Sequence, residues 1–212
     1  MKEDKRMKRM RQAWIVNFGV LSLFALLVSC TTIPQVNVLY RLPPEKTELK
    51  DLKIFLSFED QRTDKDFLGA GAKADYKNFS ENFSFSVATG TEKGFRIGVY
   101  DLPSLIMETF KRRLEYSGLT VLKEVGGEDA EVVIVLKEFL LDQRNWKWVF
   151  DMSYEAKLVK DGRMLGKQAF TGKGERLKVF GIKEADTLVG EIYTDMVNQL
   201  NVEKLFKQGG LI

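Results

Sequence analysis

The residue types that carry most enzymatic chemistry are scarce in this chain of 212 residues. It has no histidine, so it can build neither a Ser-His-Asp triad nor a histidine-ligated metal site. Its one cysteine is Cys30, so no disulfide bond can form within the chain. What remains is the chemistry of carboxylate, lysine and hydroxyl groups, and any reaction of Cys30 itself. We therefore expect no enzymatic activity, no cofactor and no bound metal.

Two short stretches are the remaining candidates for a catalytic or ligand site. Glu59, Asp60 and Asp64 follow an apolar run and could supply a carboxylate pair or a weak cation site. The alternative is a solvated loop with Arg62 nearby. The sequence GAGAK, residues 69–73, has the glycines of a phosphate-binding loop but lacks the Gly-Lys-Ser/Thr ending. We interpret the first stretch as a solvated loop and the second as a flexible one.

Cys30 stands directly behind an apolar segment, and this position predicts its chemistry. Residues 1–12 carry six basic and two acidic side chains, and no charge appears from Ala13 to Val28. Sixteen helical residues span about 24 Å, less than the roughly 30 Å hydrocarbon core, so a permanent membrane span is disfavoured. A basic segment followed by a short apolar one is typical of a secretory signal peptide.

The four residues Leu27, Val28, Ser29 and Cys30 resemble the lipobox of bacterial lipoproteins. The resemblance implies cleavage between Ser29 and Cys30, then acylation of Cys30, including palmitate, at its sulfur and new amino group. An inert buried thiol or an unpaired thiol of a secreted protein is the alternative. Each acyl chain contributes about 0.8 kcal/mol per buried CH₂, so two or three hold a protein firmly. We therefore expect a membrane attachment through Cys30.

The residues after the cysteine predict the destination. In enterobacteria-like envelopes, an aspartate after the lipobox cysteine retains a lipoprotein at the inner membrane, and here Thr31 and Thr32 follow. The resemblance therefore implies an outer-membrane lipid anchor with the domain on the periplasmic face.

Charge argues against nucleic acid as a partner. The full chain has a net charge of +3, from 33 basic and 30 acidic residues. Removing residues 1–29 leaves 27 basic and 28 acidic side chains. No basic face of the kind that nucleic-acid binders show survives in the remainder.

Composition divides the chain into three regions. Residues 1–29 are the predicted lipoprotein signal peptide, and residues 30–51 are a predicted lipidated tether containing Pro34, Pro43 and Pro44. Within the tether, residues 36–42 are the one candidate for a short extended piece. Residues 52–212 form the predicted α+β domain.

The hydrophobic pattern of residues 52–212 predicts its elements. An apolar run at 52–58 indicates a buried strand, and alternation at 83–87 and 95–99 indicates a hairpin. Asp101 and Pro103 open a predicted helix that Gly118 ends. Apolar residues at every second position from Trp146 to Leu158 predict the clearest strand, which Asp161-Gly162 turns into the next one. A last helix should carry a stripe from Ala185 to Leu200, extending toward Leu205.

This order predicts an α+β fold, a two-layer sandwich of a mainly antiparallel sheet with two helices packed on one face. The lipobox, VLYRLPP, FEDQR and DLPSLIMETFKRRLEYSGL together resemble small envelope lipoproteins. They are similar to YajG-type lipoproteins, to the auxiliary lipoproteins of ABC-type lipid transport, and to the lipoprotein partner of the lipopolysaccharide-insertion barrel. The resemblance implies a non-catalytic accessory role beside an envelope protein partner.

Binding is the activity that the remaining features favour. Trp146 and Trp148 are two residues apart on the predicted strand and are the candidate binding residues; the alternative for this row is core packing under the helices. The run from Thr171 to Arg176 is interpreted as a strand end and loop, with a protein-docking edge as the alternative. Three functions stay open: an accessory subunit of a transport or outer-membrane assembly complex, a binder of a small apolar ligand or lipid, and a structural envelope lipoprotein.

Overall fold

The computed structural model describes residues 35–45, 49–50, 52–122 and 130–212. The predicted signal peptide, with Ser29 and the lipidation residue Cys30, lies outside the described residues. The strands are β1 Val36–Leu42, β2 Lys53–Asp60, β3 Phe83–Thr89, β4 Phe95–Tyr100, β5 Thr120–Leu122, β6 Ala130–Arg144, β7 Lys147–Lys160 and β8 Arg163–Leu177. The helices are α1 Ala70–Lys73, α2 Leu102–Glu115, α3 Lys183–Gln199 and α4 Val202–Gln208.

The strands form two mixed sheets, which confirms the α+β class. The smaller sheet has the order β1-β3-β4, and the larger has the order β5-β2-β6-β7-β8. The hairpins β3–β4, β6–β7 and β7–β8 are antiparallel, as the sequence predicts. β1 runs parallel to β3, and β2 runs parallel to both β5 and β6. These parallel pairs join strands that are distant in the sequence, so no local pattern indicates them.

One face of β7 is the centre of the core. The alternating residues of this strand are all fully buried: Trp148, Phe150, Met152, Tyr154, Ala156 and Leu158. Helix α3 packs on β1, β7 and β8, and α2 packs on β2 and β5. The hydrophobic alternation of β7 therefore identifies the face of the larger sheet that is buried in the core.

The two helical predictions have different outcomes. Asp101 caps α2 by accepting a hydrogen bond from the backbone N–H of Ser104 at 2.9 Å, which confirms the predicted start. The last predicted helix is two helices, because the first one ends at Gln199 and the next begins at Val202. The guanidinium of Arg113 donates a hydrogen bond to the Leu200 carbonyl at 2.9 Å, and Asn201 caps α4. A buried cation thus satisfies a carbonyl that the helix end leaves without a partner.

Strand β1 lies within the segment that the sequence assigns to the tether. Its residues Val36, Val38 and Tyr40 are at most 1% exposed. Asp186 accepts a hydrogen bond from the backbone N–H of Asn37, and Thr194 accepts one from the backbone N–H of Arg41. Side chains of α3 therefore occupy the outer edge of β1. The short extended piece at 36–42 is part of the folded domain rather than of a loose tether.

None of the helices in the described part of the chain combines the length and apolarity needed to cross a membrane.

Candidate binding surface

The predicted binding residue Trp146 lies in the turn between β6 and β7. Asn145 and Trp146 are the two central residues, with φ of 50° and 61°. A two-residue hairpin loop of this type needs positive φ at both positions, which its sequence usually meets with Asn-Gly. Here tryptophan takes the second position, where a non-glycine residue is disfavoured by about 1–2 kcal/mol. The turn removes Trp146 from the alternation of β7, and 77% of its surface is exposed.

The second predicted residue, Trp148, lies in the core. It is fully buried, and its ring meets the ring of Tyr76 edge-on at 5.9 Å. The ammonium group of Lys178 lies 5.2 Å from the centre of the Trp148 ring and forms an ion pair with Asp75 at 2.6 Å. The indole N–H of Trp148 has no hydrogen-bond partner among the described residues. The two tryptophans are therefore separated by the turn, and only Trp146 is accessible from outside.

Three apolar residues that sequence reasoning missed lie beside Trp146. Leu177, Val179 and Phe180 are 62%, 62% and 81% exposed. The backbone N–H of Lys178 donates to the carbonyl of Trp146 at 2.9 Å, which joins this segment to the turn. We call Trp146, Leu177, Val179 and Phe180 the hairpin-tip patch. Its sequence signal is a group of apolar residues just before Gly181, outside the stripe of the following helix.

The run from Thr171 to Arg176 is wholly inside β8, so its interpretation as a strand end and loop was wrong. β8 is one of the two outer strands of the larger sheet, and exposed and half-buried residues alternate along most of it. A Cβ on Gly172 would lie 2.3 Å from the Met196 sulfur, and one on Gly174 would lie 2.7 Å from Ile192. The glycines therefore let α3 lie directly on one face of β8. One edge of β8 pairs with β7, and the opposite edge has no strand partner in the described chain.

Glu59 and Asp60, the last two residues of β2, do not converge with Asp64 on one site. Asp60 binds the guanidinium of Arg62 through both oxygens, at 3.1 and 3.0 Å, and Lys65 lies 3.1 Å away. Burial alone would raise the pKa of Asp60, but these hydrogen bonds and charges lower it to about 2. Asp64 instead accepts from the backbone of Asp66. No group of three potential metal ligands occurs among the residues that the structure describes.

The GAGAK segment is ordered against β6, so the flexible-loop interpretation was also wrong. Residues Ala70–Lys73 form the short helix α1. The backbone N–H groups of Gly71 and Ala72 donate to the carboxylate of Asp142, at 3.0 and 3.4 Å. A Cβ on Gly71 would lie 2.0 Å from the Gln143 carbonyl oxygen. A carboxylate of the chain itself thus takes the place that an anionic ligand would need.

A separate apolar groove lies between α2 and the strands β2 and β5. It has a volume of about 520 Å³, and it is lined mainly by Phe55, Leu56, Tyr100, Met107, Val121 and Leu122. This volume is within the range of small-molecule sites, about 300–1,000 Å³. Glu108 and Lys111 are the charged residues at its side.

No protein-family model matches the chain, and no match is found among curated proteins. Among solved structures, it is similar to a Xanthomonas campestris protein of the family DUF330. Identity is 15%, 82% of this chain and 97% of that one are covered, and the TM-score is 0.48. It is also similar to lipoprotein GNA1162 from Neisseria meningitidis, with 20% identity, coverage of 70% and 96%, and a TM-score of 0.32. Similarity at this level establishes neither a shared activity nor a shared partner.

Proposed function

We propose that this chain is a non-catalytic, lipid-anchored accessory protein of an envelope transport or outer-membrane assembly complex. The anchor is Cys30, and the domain faces the periplasm from the outer membrane. The observation that carries the binding role is strand β8. It is a 15-residue outer strand with no strand partner on its outer edge in the described chain.

An open strand edge presents a row of N–H and C=O groups that a second chain can complete. Helices α3 and α4 both pack on one face of β8, through Gly166, Gly172 and Gly174, and the residues of the other face are exposed. A partner can therefore add a strand without displacing the core.

In-cell photocrosslinking tests the accessory role. A photoreactive residue in place of Lys173, at the middle of β8 and 53% exposed, should form an adduct with an envelope protein. The matched control replaces the exposed Lys53 on β2, three strands away in the same sheet. Equal adducts at both positions, or none at Lys173, would contradict docking at β8.

Metabolic labelling with palmitate tests the anchor. Wild type should incorporate label, and Cys30→Ala should accumulate as an unlabelled, poorly processed precursor. Separation of the membranes by density tests the destination, with Thr31→Asp as the comparison. Wild type should band with the outer membrane and Thr31→Asp with the inner one; wild type in the inner membrane would refute the sorting proposal and leave the anchor standing.

The groove beside α2 favours a second function, the binding of a small apolar ligand or lipid. Its walls are mostly aliphatic and aromatic, and its volume suits one acyl chain or a ring system. Native mass spectrometry of the protein should then show a copurified apolar molecule, and Met107→Glu should abolish it. A wild-type spectrum with only the protein mass would exclude this function.

A further inference from the structure

The hairpin-tip patch gathers much of the apolar surface that the domain exposes. Eight large hydrophobic residues are exposed in the described chain, and the four members of the patch are half of them. They come from two segments that meet where the backbone of Lys178 bonds to Trp146. A group of exposed apolar side chains on neighbouring segments of a folded surface is a candidate site of contact with a protein or a membrane.

The patch is held outward by polar contacts around it. The Glu184 carboxylate accepts a hydrogen bond from the backbone N–H of Phe180 at 3.1 Å. Lys178, between Leu177 and Val179, turns inward to Asp75 and the Trp148 ring. Leu177 and Val179 flank this inward lysine and are exposed, and the positive φ of Trp146 takes its side chain out of the buried row of β7. The exposure of the patch is therefore built into the fold.

The chain enters the domain at the same end. Val36 begins β1, and the backbone and side-chain N–H groups of Asn37 donate to Asp186 in the first turn of α3, at 3.2 and 2.7 Å. Phe180 lies six residues before Asp186 in the sequence. Tyr76 links the two regions, since its hydroxyl donates to Asp186 and its ring contacts Trp148.

The length of chain before β1 limits where a membrane anchor can lie. Five residue steps separate Cys30 from Gln35, and a fully extended chain covers about 17 Å in that number of steps. An acylated Cys30 therefore holds Gln35 within about 17 Å of its attachment point. This length would then keep the end of the domain that carries the patch nearer to the attachment point than the opposite end.

The charges around the patch are balanced. Lys147 pairs with Glu175 at 2.9 Å, Arg176 pairs with Glu191, and Lys178 pairs with Asp75. Paired lysines and arginines offer little net attraction to anionic headgroups. Contact with lipid would therefore depend on apolar burial and change little with salt.

We propose that the hairpin-tip patch is a membrane-docking surface that inserts into the headgroup region of the bilayer holding the lipid anchor. The inference rests on the proposed anchor at Cys30. Tryptophan and phenylalanine are typical of the apolar face of interfacial segments, and the indole N–H of tryptophan can also hydrogen-bond in the hydrated headgroup region. The acyl chains supply the attachment, and the patch fixes the orientation of the domain.

Quenching by brominated lipid tests the inference on the full lipidated chain in phosphatidylcholine vesicles. The emission of Trp146, taken as the difference between wild type and Trp146→Phe, should fall by about twofold or more, because interfacial side chains reach about 5–10 Å into the headgroup boundary. The quenching should be the same in low and high salt. The remaining emission, from the buried Trp148, should be little affected.

Two exposed phenylalanines provide a matched pair of variants. Phe180→Asp should abolish most of the quenching of Trp146. Phe95→Asp should leave it unchanged, because Phe95 is 64% exposed but pairs with Val87, near the opposite end of the β1–β3 pair. Both side chains are outside the core, so both variants should keep the wild-type circular dichroism.

The outcomes separate the inference from the proposed function. Palmitate-labelled protein that floats with vesicles but shows no quenching of Trp146 would overturn the docking surface alone. Protein that carries no palmitate would overturn the anchor and the inference with it. A photocrosslinker at Phe180 that captures an envelope protein in cells, without quenching in vesicles, would identify the patch as a protein interface and also overturn the inference.

Discussion

Replacement of Phe150 by alanine tests the assignment of the buried face of β7. Phe150 is fully buried and meets Phe139 edge-on, with ring centres 5.1 Å apart and planes at 87°. Its ring also lies 6.4 Å from that of Phe67. Truncation of a buried phenylalanine costs about 3–5 kcal/mol, and edge-to-face pairs add about 0.5–1.5 kcal/mol to area burial. We expect the unfolding free energy to fall by about 4–5 kcal/mol.

Urea denaturation followed by circular dichroism measures this loss. With a slope of about 2 kcal/mol per molar urea, the midpoint should fall by about 2 M at unchanged slope. The control is Asp151→Ala, the next residue, whose carboxylate lies 3.4 Å from Lys173 on the other face. Lys173 is 53% exposed, so solvent screens this ion pair and the control should change by about 0.5 kcal/mol or less. A larger loss at Asp151 than at Phe150 would reverse the face assignment.

Two further predictions concern contacts that the structure brings together. Gly71→Ala should lower the unfolding free energy by about 1–3 kcal/mol, seen as a lower melting temperature, because the new Cβ would meet the Gln143 carbonyl oxygen. Helix propensity alone favours alanine, so a raised melting temperature would contradict the close approach. The lowered pKa of Asp60, about 2 in the folded protein, means that its ion pairs stabilise the fold above pH 4 and lose this effect as pH falls toward 2. The stability difference between wild type and Asp60→Asn should therefore shrink over that interval, and a difference independent of pH would refute it.

The sequence was most informative where a local pattern has one structural solution. The alternation of β7 from Trp148 to Leu158, the Asp161-Gly162 turn and the Asp101 cap of α2 each appear as predicted, because each depends on neighbouring residues. Positive φ at Asp161 and Gly162, 53° and 71°, is what an Asp-Gly hairpin needs. Local chemistry was sufficient for these elements.

The features that the sequence left open or missed depend on contacts between distant parts of the chain. β1 is a strand because Phe83–Thr89 pairs with it and α3 covers its edge, and both partners lie far along the sequence. α1 is ordered because Asp142, about 70 residues later, accepts its backbone N–H groups. The hairpin-tip patch combines the turn at Trp146 with the segment after β8. Pairings of this kind have no signature in any short window of sequence.

The position of β1 limits how far the proposed lipid anchor would let the domain stand from the membrane. A free tether through residue 51 would let the domain stand away from the bilayer, at roughly 25 Å by random-coil scaling of some twenty residues. With β1 in the fold, about six residue steps connect Cys30 to Val36, a reach of about 20 Å even when fully extended. The proposed anchor at Cys30 would therefore hold the domain close to the membrane, and the proposed docking surface would then lie toward the lipid. Strand β8 extends from Leu177 in the patch to Arg163 at the far end, and its outer edge is the one that the proposed periplasmic partner would meet.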